Sequence, residues 1–138
     1  MATRTSNRTL NVCAWTLVVV ATVVAVQSLV DALPRHGMDP AWPDHARFHV
    51  TLAALNQVGF CIMASAIALI PFRRAERWSW WVLLSAFLIF RILAVIPSAL
   101  IQGSGPQAHF YVPMAMAYTA VIAALVSSWR VGFPGAGE

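Results

Sequence analysis

The chain has 138 residues, 59% hydrophobic and only 10% charged. A soluble domain carries about 25% charged residues, so a single domain with a lipid-facing surface is expected. The net charge of +4 rests on nine arginines and no lysine, scattered between apolar runs, which excludes the basic stripe that a nucleic-acid partner needs.

The first apolar run covers residues 11–30. Arg4 and Arg8 precede it, as in a secretory signal. Its apolar stretch of about 19 residues exceeds the usual 7 to 15, and no A-x-A site follows, so an uncleaved helix is expected. The link Asp31–Ala46, DALPRHGMDPAWPDHA, holds three prolines and a glycine and reads as a loop. Asp44, preceded by Pro43, reads as the N-cap of the second helix.

The second run covers 47–71 and the turn Pro71–Arg77, PFRRAER, follows. The third run, 78–101, has 24 residues, enough to cross a hydrocarbon core of about 30 Å. Pro97 is expected to kink it. Gln102–Ala108, QGSGPQA, is the last link, and the fourth run covers 110–129 with Pro113 in its first turn. A membrane span must satisfy its own backbone, so each run is expected to be a helix. Short links imply antiparallel neighbours. The expected fold is all-α, an integral membrane antiparallel four-helix bundle occupying residues 1–138.

Arg4, Arg8, Arg73, Arg74, Arg77 and Arg130 fall on one side, and only Arg35 and Arg47 on the other. The positive-inside rule then puts both termini in the cytoplasm, in a plasma membrane of the bacterial kind. Trp78, Trp80, Trp81 and Trp129 mark the inner interface and Trp42 the outer one. Cys13 and Cys61 both lie in apolar runs and form no C-x-x-C pair. That excludes a disulfide-exchange enzyme and leaves both as small buried hydrophobes.

Arg91 lies in the middle of the third span. A guanidinium there costs at least about 2.5 to 3.5 kcal/mol on insertion scales, so it is expected to face a protein interior or a wet cavity with a partner. At about 100° per residue, His45, His49, Leu52, Asn56 and Met63 share one stripe of helix 2. Leu84, Arg91, Val95, Ser98 and Gln102 share one on helix 3, and Cys13, Val20, Val24, Gln27 and Asp31 one on helix 1. Asp31, His45, Gln102 and His109 stand at the outer end, and Gln27, His49 and Ser98 about one turn deeper. Asn56 and Arg91 lie about ten residues, roughly 15 Å, from that end.

An outward-facing polar pocket with Arg91 near its floor follows. Its ligand-binding residues are expected to be Gln27, Asp31, Asn56, Arg91, Ser98, Gln102 and His109. The alternative is a hydrogen-bond network that fixes helix packing. Asp31 and Asp44 are the candidate acidic partners of Arg91. An unpaired buried cation is costly, so an anionic, lipophilic ligand is the natural complement.

His45 and His49 stand at i and i+4, as in helix-borne metal pairs. The intervening Ala46, Arg47 and Phe48 give no H-E-x-x-H, and the Arg47 cation opposes a dication. No cofactor or metal site is expected. A metal with a third ligand from Asp31, Asp44, His36 or His109, or a haem held by His49 and His109, is weighed against an acid/base or hydrogen-bonding pair in a polar pocket and against a plain capping and interfacial role.

The segment Trp42–His49, WPDHARFH, opening the second of four spans, resembles small four-helix integral membrane proteins of the DoxX-like kind. The resemblance covers the four-span layout and about eight residues. It implies the four-span membrane layout; DoxX itself is associated with a quinone-linked oxidoreductase, but no catalytic motif carries over onto these positions, so no activity is transferred. Small multidrug exporters use an embedded Glu in the first helix, where this chain offers Gln27 and Asp31. Sterol-isomerase-like proteins rely on embedded acids, whereas this chain embeds an arginine.

Two functions fit. One is a ligand-binding membrane module, with membrane lipid, a partner subunit or a second copy as partners. The other is a membrane-embedded isomerase, cyclase or quinone-linked oxidoreductase, with His45 or His49 moving a proton and Arg91 holding an anionic group as catalytic residues. A small exporter is a further alternative.

Overall fold

The computed structural model describes residues 4–89 and 108–133, and within them every regular element is helical. Helix α1, Arg4–Gln27, continues without a break as a wider π-helical stretch, Ser28–Gly37. Helix α2, Asp44–Ile67, continues in the same way over Ala68–Phe72. Helix α3, Arg77–Leu84, continues over Ser85–Ile89, and α4 spans Ala108–Gly132. Three stretches, Asn7–Gly37, Asp44–Phe72 and Ala115–Gly132, are long and apolar enough to cross a membrane. The expected third span is described only as far as residue 89, and residues 102–107 of the last link lie outside the described residues.

The first link is shorter than the sequence suggests. Pro34 was expected to lie in it, yet it sits inside the π-helical end of the first span. Proline stops an ordinary α-helix because its ring meets the carbonyl one turn back and its nitrogen donates nothing. The wider π turn relieves that contact, an adjustment common in membrane helices. Met38 closes the segment by donating its N–H to the Leu33 carbonyl, 3.0 Å away and five residues back. The second wide stretch holds Pro71 in the same way.

Two local expectations change. Pro43, not Asp44, occupies the N-cap position of α2 and offers no side-chain bond. Asp44 is instead the first helical residue, and its carboxylate pairs with Arg47 in the first turn. Pro113 is the sixth residue of α4, one turn deeper than expected, because that helix begins at Ala108.

The turn after α2 is a Schellman motif. Glu76 donates its N–H to the Pro71 carbonyl at 3.1 Å, and Ala75 donates to the Phe72 carbonyl at 3.0 Å. That motif needs a left-handed residue, usually glycine; here Ala75 takes it, at φ 57°. The turn is fastened to α1 by Arg73, whose Nε donates to Asn11 Oδ1 at 2.6 Å.

Helix α1 packs against both α2 and α4. Leu10, Ala14, Leu17 and Ala21 of α1 meet Cys61, Ala64, Ala68 and Phe72 from the second span, Leu83 and Phe87 from the third, and Val121, Ala124 and Leu125 of α4. All of these belong to the half that ends in the arginine-rich turn, termed here the arginine end. The alanines at these contacts let helix backbones approach closely, as small residues do between membrane helices. Gly132 shows how closely: a Cβ there would lie 2.6 Å from Leu10 Cδ2. Larger side chains such as Val12, Val19 and Ile62 point outward.

Aromatic rings close the arginine end. Trp80 and Trp129 lie 4.6 Å apart between ring centres, Trp129 stacks on Phe133 at 5.8 Å, and Phe133 reaches Phe72 at 6.1 Å. The Trp80 indole donates to the Leu125 carbonyl at 2.9 Å, tying α3 to α4. Trp78 and Trp81 stay exposed, as interface anchors would.

Candidate polar site at the histidine end

The opposite end gathers the first link, the close of the first span and the start of α2. The end of the first span reaches α2 closely at Gly37, where a Cβ would meet Thr51 Oγ1 at 2.8 Å. This contact holds the end of the first span against the first turns of α2.

His45 and His49 occupy successive turns of α2, and their Nε2 atoms lie 3.1 Å apart. The two imidazoles are within hydrogen-bond reach, and which one donates depends on their tautomers. Phe48 lies against His49 with ring centres 5.5 Å apart. His36 lies 4.8 Å from the Trp42 ring.

Both aspartates suggested as partners of Arg91 are engaged locally. Asp31 Oδ1 is 2.6 Å from Arg35 Nε, and Asp44 pairs with Arg47. Arg47, expected only as a topology charge and as a cation that opposes a metal at the histidine pair, has a further feature. Its Nε is buried and makes no hydrogen bond among the described residues. The signal was present in WPDHARFH, where Arg47 stands midway between the two histidines.

The α2 stripe His45, His49, Leu52, Asn56 and Met63 is exposed throughout, while Ala54, Cys61 and Ala64 form the buried face. On α1, Cys13 is buried, Val20 and Val24 are half-buried and Gln27 is exposed. Among the described residues, neither Gln27 nor Asn56 has a side-chain hydrogen-bond partner. Gln57, off the stripe, is half-buried and donates Nε2 to Cys61 Sγ at 3.5 Å. Gln57 is thus bound into the helix packing and Asn56 is not. Arg91, Ser98 and Gln102 lie outside the described residues, and His109 is placed only by its backbone in the first turn of α4.

The histidine pair supplies two imidazole nitrogens. Among the described residues, no third His, Cys, Asp or Glu joins them in a metal-binding group. What the described groups can do is hydrogen-bond through the paired imidazoles and present amide donors and acceptors from Gln27 and Asn56. Comparison of the chain with family models, with curated proteins and with solved structures finds no match.

Proposed function

We propose that the chain is an integral membrane four-helix bundle that binds a small, lipophilic, anionic ligand in its histidine half. The observation that carries this reading is the state of Gln27 and Asn56. Both are polar, lie well inside candidate spans and lack an internal partner among the described residues. Polar side chains at membrane depth without partners are costly unless they face a cavity or a ligand. The arginine half is filled by apolar side chains and leaves no role for such groups.

Arg91 supplies the anion-binding charge in this reading. Asp31 and Asp44, its candidate acidic partners, already pair with Arg35 and Arg47, which favours an exogenous anion. The wide helical stretch Ser85–Ile89 leads directly to it, and such widened turns recur at functional sites.

A second reading rests on the shared hydrogen bond of His45 and His49. In it the ligand is a substrate and the pair moves a proton, as isomerisation or quinone-linked chemistry requires.

The arginine end faces the cytoplasm in both readings. Labelling of Ala75→Cys from the inside and Ser104→Cys from the outside tests this, and the reverse pattern overturns it. The binding claim is tested by extracting protein purified in mild detergent and identifying retained small molecules by mass spectrometry. Wild type retains a lipophilic acid and His49→Ala with Asn56→Leu retains much less. Equal retention contradicts the site.

A further inference from the structure

The exposed face of α1 at the arginine end carries a groove of about 760 Å³, within the range that small-molecule sites occupy. Asn7, Arg8 and Asn11 stand at its mouth, and the one polar residue deeper in it, Thr16, has its hydroxyl turned to the Val12 carbonyl at 3.0 Å. Deeper along the helix it is lined by Val12, Trp15 and Val19, which are 60%, 53% and 58% exposed.

Arg73 is brought to the same mouth from the turn after α2. Its Nε donates to Asn11 Oδ1 at 2.6 Å, which leaves the two terminal nitrogens of its guanidinium to reach outward. Asn11 is one helical turn from Arg8 and both line the groove, so Arg73 stands at its edge through its bond to Asn11. Among the described residues neither guanidinium makes an ion pair. The one described carboxylate in the adjoining turn, Glu76, accepts the Trp78 indole at 2.7 Å.

We infer that this groove holds one anionic membrane phospholipid, its phosphodiester between Arg8 and Arg73 and an acyl chain along Val12, Trp15 and Val19. The charge complementarity is specific in form. Guanidiniums match phosphate oxygens in paired geometry, and the Asn11 amide, its oxygen already engaged, still offers an N–H. A free phosphate would satisfy the mouth and leave the apolar wall unused; a phospholipid uses both. This site lies at the opposite end from the proposed ligand site and shares no residue with it.

Native mass spectrometry in detergent tests the inference with phosphatidylglycerol and phosphatidylcholine as probes. One phosphatidylglycerol per chain is expected to bind in preference to phosphatidylcholine. In Arg8→Gln with Arg73→Gln, that preference falls about thirtyfold, the effect of two guanidiniums near an anionic headgroup. Arg35→Gln, at the other end, retains it. If the double variant fails to fold, Arg8→Gln alone, whose side chain holds no internal contact among those described, is expected to lose about fivefold. Equal binding of both lipids, an unchanged preference in the variants, or displacement of the lipid by millimolar inorganic phosphate overturns the inference.

Discussion

At the arginine end, Leu10, Leu17, Phe72, Leu83 and Leu125 are all at most 1% exposed, and four tryptophan and phenylalanine rings close the helices together. At the histidine end, among the described residues of 22–60 and 115–120, Ala54 is the only buried hydrophobic side chain. Polar groups there are either paired within one turn, as Asp31 with Arg35, or exposed without a partner, as Gln27 and Asn56. The contrast separates a half in which side chains pack between helices from a half that presents polar groups. Close packing of that kind is what holds helices together where burial from water does not drive association. The other half is left free to present chemistry.

The sharpest way to break that comparison is to remove a side chain from the packed half. Phe72→Ala deletes a ring with 0% exposure and is expected to cost about 3 to 5 kcal/mol. Unfolding in mixed micelles would measure it, and a cost below about 1 kcal/mol would show that the arginine half is not the stabilising one. A smaller effect of opposite sign is expected at Ala75, whose φ of 57° strains an L side chain. Ala75→Gly relieves about 1 kcal/mol of that strain, less the entropy that glycine returns to the unfolded chain, so a modest rise in Tm is the expected readout. The smallest effect belongs to the histidine half. Asn56→Leu removes no hydrogen bond among the described residues, so stability should shift by no more than about 0.5 kcal/mol, whereas a substantial loss would mean that Asn56 is packing glue.

The helical class was legible because apolar runs of membrane-spanning length admit little else. Three of the stretches long enough to span follow those runs. The end of the first span was not legible, because Pro34 reads as a helix stop in any rule built on the α-helical turn, and the wider turn escapes that rule. The facing of α2 was not legible either. In water a polar stripe and an apolar stripe separate the two faces of a helix, but in lipid both the packed and the exposed faces are apolar. Here the packed face is built from Ala54, Cys61, Ala64 and Ala68, while Leu52, Ile62 and Met63 face outward. Ranking by hydrophobicity therefore points to the wrong side, and residue size is the better guide. The burial of Arg47 was not legible for a related reason: beside a link it reads as a topology charge, whereas its Nε is buried.

The central claim is that the histidine half binds an anionic lipophile through Arg91, and parallel measurement of thermal stability and retained ligand on three proteins tests it most directly. Wild type is expected to carry the ligand. Arg91→Leu is expected to keep its fold in detergent and lose the ligand. Arg91→Lys should recover binding in part, because a compact ammonium cannot reproduce the planar fork of a guanidinium. Unchanged ligand content in Arg91→Leu would contradict the claim and leave Arg91 as a residue of helix packing.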